Sequence, residues 1–393
     1  MELGIVGKPN TGKSTLFRAL TRKEVESANY PFTTVEPNEG VAFASTRCVC
    51  EELDVDCDPN NSRCEDGTRF VPVNVLDVAG LVPDAAEGKG MGNEFLDSIR
   101  EADALIHVLD AAGRTNAEGE PVEEYDPVQD VTFVEDEFDA WMTRLLRDAV
   151  EANRKSMRSG EVKLDEFLAD RFSGLGITMQ EVRSALDAVD VADTFEKWSE
   201  SDFEEVASRL RSAAKPTIFA ANKIDLAGAE ENLERLRETF PEETFVPISA
   251  QAELTLRKAA EAGKIRYTPG EGSFEITDDV SPEQEEGLER IRSDVLDRVG
   301  TTGVQELVDC AVFDLLDMIV VYPVEDTGKY TDQKGNVLPD AVLLERGSTP
   351  VDLAYTIHSD IGDAYVKAVD ARTGQTLGKE HELEHGDVVK IVT

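Results

Sequence analysis

The sequence predicts an α/β fold built on a mostly parallel sheet, with a helical insertion and a small C-terminal β-grasp module. Three observations carry that reading. Strand-length apolar runs alternate with helical patterns from residue 1 to 112 and resume at 216. Between Asp126 and Ala214 the periodicity becomes helical. After Leu316, short strand-like runs gather around one capped helix. The expected boundaries are 1–126 with 214–316 for the sheet domain, 127–213 for the insertion and 317–393 for the module.

The sheet strands are expected near 2–7, 71–77, 104–110, 216–222 and 244–249. The first runs into Gly7-Lys8-Pro9-Asn10-Thr11-Gly12-Lys13-Ser14, which opens a helical pattern from Ser14 through Thr15 to Leu20. Two glycines flanking four residues, then Lys-Ser, form a phosphate-binding loop. Glycines let the backbone turn its N–H groups inward onto anionic oxygens, and the helix start adds the positive end of its dipole. Lys13 would reach terminal phosphates, and the Ser14 hydroxyl would ligate Mg²⁺.

The second strand ends in Asp77-Val78-Ala79-Gly80. A carboxylate at that strand end is placed to hold Mg²⁺ through water, and Gly80 can offer its N–H to a γ-phosphate. The fourth strand runs into Asn222-Lys223-Ile224-Asp225. Guanine presents two donors on one edge, which a carboxylate at Asp225 can accept, whereas adenine presents a lone pair there. The Lys223 stem can lie along the base, and Asn222 can tie this loop to the phosphate loop. Ser249 and Ala250 end the fifth run, where backbone N–H groups would meet the base O6. All these motifs close predicted strands, the edge where open α/β sheets place ligands.

Asn29-Tyr30-Pro31-Phe32-Thr33-Thr34, Asp77-Val78-Ala79-Gly80-Leu81 and Glu87-Gly88-Lys89-Gly90-Met91-Gly92-Asn93 resemble the Obg-related P-loop GTPases. Within them the whole chain is most similar to the YchF/Obg-like ATPase branch, in its archaeal form. The resemblance implies that Thr33 or Thr34 gives a switch-loop hydroxyl to Mg²⁺ and γ-phosphate; Thr34 is carried as the metal and catalytic candidate, with Lys13 and Gly80. Better-known members of that branch lack the acidic base-reading residue and prefer ATP. This chain keeps Asp225, so GTP and GDP are the expected ligands and ATP the alternative.

Leu81 stands where many GTPases carry a water-orienting glutamine. Leucine cannot hydrogen-bond water, so slow intrinsic hydrolysis is expected, or a nucleotide-regulated adaptor with negligible turnover. In some related GTPases an asparagine at the position of Asn10 helps bind K⁺. Stabilising the turn is the equally weighted reading of Asn10. A metabolic kinase is disfavoured, because it has no need of a guanine reader.

The 81 Asp and Glu outweigh 40 Lys and Arg, a net charge of −41, and the acids are spread along the chain. Such a surface suits a very salty, halophilic cytosol, where screening shortens to a few ångströms. No targeting signal is read and no run approaches the ~20 apolar residues of a membrane span, so a cytoplasmic protein without membrane contact, and a monomer, is expected. Cys48, Cys50, Cys57 and Cys64 cluster, but their spacing departs from the common paired zinc pattern. Zinc is therefore an alternative that the spacing does not favour over reduced thiols. Cys310, in an apolar helical stretch, reads as core.

Phe138, Trp141, Met142, Leu145 and Leu146 recur at helical steps and read as the packing face of the insertion. In the module, Thr349 and Pro350 open a helix. Its pattern resembles the TGS domain of threonyl-tRNA synthetase and stringent-response proteins, where the fold contacts RNA or ribosome. His358, Lys367, Arg372, Lys379 and Lys390 are the candidate contacts.

Overall fold

The computed structural model describes residues 1–21, 39–78, 99–158, 163–189, 197–278 and 280–393. The chain divides into two compact units, Met1–Ala19 with Val75–Leu307 and Leu20–Asn74 with Val308–Thr393. The expected switch residues Thr33 and Thr34, and the segment with Gly80, Leu81 and Glu87–Asn93, lie outside the described residues.

In the first unit, the end of strand Thr68–Asp77 lies beside Glu2–Val6, followed by Ala104–Asp110, Thr217–Asn222 and Phe245–Pro247. The last four pair parallel, with Ile5 opposite Ile106, Ile106 opposite Ile218 and Phe219 opposite Phe245. Every residue of Ala104–Asp110 is buried, the near-continuous apolar run of a strand covered on both faces. All five strands lie where the sequence places them, and their carboxyl ends form one rim.

The insertion is built of helices Val128–Arg158, Leu164–Phe172, Met179–Val189 and Glu200–Ala214. Phe138, Met142, Leu146 and Val150 recur at helical steps and pack with Phe172, Val182, Val206 and Leu210. Trp141 stacks on Phe138 with ring centroids 5.4 Å apart, so it packs as its spacing implied. The Glu200–Ala214 helix opens on a reciprocal Ser199–Asp202 capping box.

In the second unit, Glu39–Arg47 is followed by a hairpin, Arg63–Glu65 with the start of Thr68–Asp77. Asp66 and Gly67 make its turn with φ of 45° and 80°, the paired left-handed geometry that an Asp-Gly sequence favours. The C-terminal strands are ordered Val342–Glu345, Met318–Pro323, Val388–Val392, Lys367–Asp370, Thr376–Leu377. Met318–Pro323 and Val388–Val392 run parallel and their neighbours antiparallel, a β-grasp arrangement. The helix Pro350–Ile357 starts at a Thr349–Asp352 capping box and buries Leu353 among Ile319, Val321, Leu344 and Val389. One expectation is corrected: Cys310 is half-buried rather than core, at the start of the wide helical turn Cys310–Leu315.

Candidate nucleotide site

At the strand-end rim a cavity of about 450 Å³ opens between two loops. Asn10, Gly12, Lys13, Ser14 and Thr15 line one side, and Asn222, Lys223, Asp225, Leu226, Ser249 and Gln251 the other. Gly7 and Gly12 have φ of 139° and 107°, and Asn10 adopts 62°. A Cβ on Gly12 would sit 2.2 Å from Asn222 Nδ2, so close approach of the two loops requires glycine there.

Asn222 spans the loops. Its Nδ2 donates to the Thr11 carbonyl at 2.8 Å, and its Oδ1 accepts from Ala250 N at 3.1 Å. Lys223, itself at φ 64°, donates to the Asn10 carbonyl at 3.0 Å and to Asp110 Oδ2 at 2.8 Å. Its stem therefore crosses the cavity wall with its charge already held. Ser249 Oγ donates to Asp225 Oδ1 at 2.8 Å, which fixes the carboxylate at the wall. Ser249 is in turn held by Thr302, whose carbonyl accepts its N–H at 2.9 Å. Thr302 Oγ1 donates to fully buried Glu253 at 2.6 Å, so the base-side loop rests on a polar network behind it.

On the phosphate side, the Lys13 ammonium folds onto the Lys8 carbonyl at 2.8 Å. Burial pushes Lys13 down to about 8, opposed by the charge of Asp77. Asp77 is itself pushed up by burial, against a hydrogen bond from Ser14 and the charge of Lys13. Ser14 and Asp77 thus meet beside a lysine, a hard-oxygen donor set that fits Mg²⁺.

Gly7, Lys8, Pro9 and Thr11 do not line the cavity with their side chains. Thr11 Oγ1 donates to the Lys8 carbonyl at 3.2 Å. Lys8, expected among the binding residues, runs the opposite way into the protein. Its Nζ sits 2.7 Å from Asp130 Oδ2, donates to the Thr115 carbonyl at 2.7 Å and lies 3.9 Å from the Tyr125 ring centroid. The Asp130 contact is a close ion pair rather than a well-angled hydrogen bond. Burial lowers Lys8 and raises Asp130, each despite the other's attraction. This anchor was not legible in the sequence, because Asp130 is one acid among many on an amphipathic helix. Asp110 was more accessible to reading, since it closes an apolar strand as Asp77 and Asn222 do.

In this structure the Ser249 and Ala250 amides, expected at the base, have protein partners. Each donates to a protein partner, Thr302 and Asn222 respectively, so the loop's own architecture takes both N–H groups. Asn10 Nδ2 likewise donates to the Gly119 carbonyl at 2.9 Å. Gly119 is obligatory at that contact, because a Cβ there would lie 2.6 Å from the Pro9 carbonyl oxygen.

Family comparisons agree with this geometry. The description "50S ribosome-binding GTPase" matches residues 2–136, "Obg-like GTPase YGR210-like, G4 motif-containing domain" residues 220–326, and "TGS domain" residues 329–393. A GTP-binding protein of Methanocaldococcus jannaschii is 48% identical, covering 100% of this chain and 98% of its own. The chain belongs to the YchF-type Obg-like GTPases. A GTP-binding protein of Schizosaccharomyces pombe is 35% identical over 88% of this chain and 87% of its own. The crystal structure of a GTP binding protein from Pyrococcus horikoshii OT3 matches with a TM-score of 0.79 and 39% identity, covering 100% of both chains. A Haemophilus influenzae protein named ribosome-binding ATPase YchF is 29% identical over 67% of this chain and 69% of its own. As an Obg-like GTPase, the protein is a P-loop nucleoside-triphosphate hydrolase with a C-terminal TGS domain.

Of the basic residues expected on the TGS domain, Lys367 is exposed. His358 Nδ1 accepts from Asp360 N at 3.1 Å, and Arg372 donates to the Gly386 carbonyl at 2.8 Å. Lys379 lies 5.9 Å from the Tyr365 ring centroid, and Lys390 donates to the Glu325 carbonyl. No helix among the described residues is long and apolar enough to cross a membrane.

Proposed function

We propose that the protein is a guanine-nucleotide switch that hydrolyses GTP slowly and works at the ribosome. The observation that carries the specificity is Asp225, held by Ser249 on the wall of the cavity that Lys13 and Ser14 line from the other side. A fixed carboxylate accepts from guanine N1–H and its 2-amino group without paying for its own ordering, and meets a lone pair on adenine.

Lys13 would release the Lys8 carbonyl to reach the terminal phosphates, and the loop amides of Gly7–Thr15 would face the phosphate oxygens. Ser14 and Asp77 would hold Mg²⁺, with Thr34 joining from the switch segment; the ion would neutralise charge on the phosphates. Thr34 and Gly80 are proposed as γ-phosphate sensors whose release follows hydrolysis. Leu81 offers no hydrogen bond to water, which supports a slow intrinsic rate. The TGS domain and the ribosome-related names of the relatives support a ribosomal or RNA partner for one nucleotide state.

A second reading, ATP hydrolysis, is favoured by relatives named as ATPases. Competition of GTP and ATP against a fluorescent GDP decides between them. Asp225→Asn should weaken GTP binding roughly 10–100-fold, the loss of about one charge-assisted hydrogen bond. Equal affinity of the unaltered protein for ATP and GTP would overturn the guanine reading.

A further inference from the structure

The second unit holds a feature that the nucleotide site does not use. Cys48 follows strand Glu39–Arg47, Cys50 opens the short helix Cys50–Leu53, Cys57 lies in the next loop and Cys64 sits on the hairpin strand Arg63–Glu65. The cysteines form no disulfide among the described residues. The four sulfurs of this group nevertheless lie within 4.8 Å of one another, and Cys50 Sγ is 3.9 Å from Cys64 Sγ. A tetrahedral zinc–thiolate centre with bonds of about 2.3 Å has sulfur–sulfur edges of about 3.8 Å. A disulfide would bring one pair to about 2 Å and leave the others apart.

The backbone is shaped to deliver these sulfurs. Asp54 adopts φ 52°, and the Val55 N–H returns to the Cys50 carbonyl at 3.1 Å, turning the chain back after the short helix. Cys48 N donates to the Gly67 carbonyl at 2.7 Å, which lays the hairpin turn against the first two cysteines. The surroundings also suit an anion. Arg69 is fully buried; its Nη2 donates to the Leu338 carbonyl at 2.7 Å, while its Nε and Nη1 have no hydrogen-bond partner. Arg69 lies close enough for its charge to act on both Cys48 and Asp340. A buried guanidinium requires a counter-charge, and a tetrathiolate zinc centre carries two negative charges. The buried Tyr322 hydroxyl, without another partner, faces the same sulfur.

We propose that Cys48, Cys50, Cys57 and Cys64 bind one Zn²⁺ as a closed structural centre. Binding turns the thiols into thiolates and releases their protons to solvent. The ion fastens the Cys57–Cys64 loop, which is built into the C-terminal module. Asp58 N donates to the Val337 carbonyl at 2.8 Å, Asn60 N to Pro339 at 2.6 Å, and Asn61 exchanges two hydrogen bonds with Ala341. Zinc thus holds the register between this knuckle and residues 337–341.

The test uses the full chain, purified under reducing conditions without chelators and reconstituted with Zn²⁺. Elemental analysis should give one zinc per chain. Alkylation of the folded protein should spare four thiols and reach at most Cys310, and mercurial titration should free both zinc and the four thiols. Cobalt in place of zinc should show the visible bands of a tetrahedral thiolate site, a readout independent of nucleotide turnover. Cys57→Ser should weaken zinc binding at least tenfold, and Cys310→Ser should leave it unchanged. If Cys57→Ser does not fold, the cobalt spectrum and thiol count of the unaltered chain decide. Less than about 0.2 zinc per chain with five reactive thiols, a disulfide among the four, or iron bound in preference to zinc would each overturn the assignment.

Discussion

Asp130→Ala should unbalance the buried anchor beneath the phosphate loop. Lys8 and Asp130 side chains are only 2% and 4% exposed, and the Lys8 ammonium would keep one carbonyl and one ring as partners. Removing one member of a buried ion pair costs about 3–5 kcal/mol. A second estimate bounds it. Lys8 can escape by losing its proton, and doing so at pH 7 from an unfolded-state value near 10.5 costs about 5 kcal/mol, at ~1.4 kcal/mol per unit. The expected loss of about 3–5 kcal/mol is a large share of the ~5–15 kcal/mol that holds a domain together. Both tryptophans, Trp141 and Trp198, lie in this unit, so their fluorescence during urea unfolding follows it. The deficit also carries a sign in pH. Asp130 holds Lys8 up against burial, so its loss lowers Lys8 further; the variant then gains stability with rising pH over an interval where the unaltered protein does not, and the deficit should shrink as the pH rises toward 10.5. Lys8→Met with Asp130→Leu should recover most of the loss, because neither charge is then stranded. A loss under about 1 kcal/mol, or a deficit indifferent to pH, would refute the anchor.

Three further outcomes follow from the same geometry. Gly12→Ala places a Cβ 2.2 Å from Asn222 Nδ2 and should lower GTP affinity at least about tenfold by parting the two loops; unchanged affinity in a fluorescent-nucleotide titration would count against the clasp. Lys13, held at about 8 in the nucleotide-free protein, costs the fold stability while charged below that pH, and the cost is relieved as pH rises from 8 toward 10.5. Phosphate binding should restore its proton, so calorimetry near pH 9 in buffers of different ionisation enthalpy should register proton uptake on GTP binding, and zero uptake would remove Lys13 from the phosphates. Asn10 donates its amide to Gly119, leaving the side-chain oxygen as the atom for a monovalent cation; GTP turnover should be faster in KCl than in NaCl at matched ionic strength, and equal rates would reject the cation role.

The parts of this molecule that sequence made readable are those where local pattern and tertiary need coincide. The fully buried run Ala104–Asp110 needs apolar side chains on both faces, and Thr349-Pro350 needs only its own capping geometry, so both were visible without a partner. The phosphate loop was visible because its glycines answer to backbone conformation, Gly12 at φ 107° above all. What escaped was long-range pairing of ordinary residue types. Nothing marks Asp130 as the mate of Lys8, or Thr302 as the acceptor of the Ser249 amide, until the sheet brings them together. The partners of the Ser249 and Ala250 amides escaped for the same reason: which group each N–H meets is set only once a neighbouring strand end arrives. The cysteine group is the sharpest case. Its spacing did not favour a metal and did not show that the four sulfurs converge, because spacing reveals convergence only when one local turn brings the residues together. Here one sulfur follows a strand, one opens a short helix, one comes from a loop and one from a hairpin strand, and the Asp66-Gly67 turn closes the set. Convergence of this kind is set by the hairpin register, Cys64 opposite Arg69, which also seats the buried guanidinium beside the sulfurs. One pairing therefore places both the Cys64 sulfur and the Arg69 guanidinium, so a register slip of a single residue would turn Cys64 away from the cluster and strand Arg69 together.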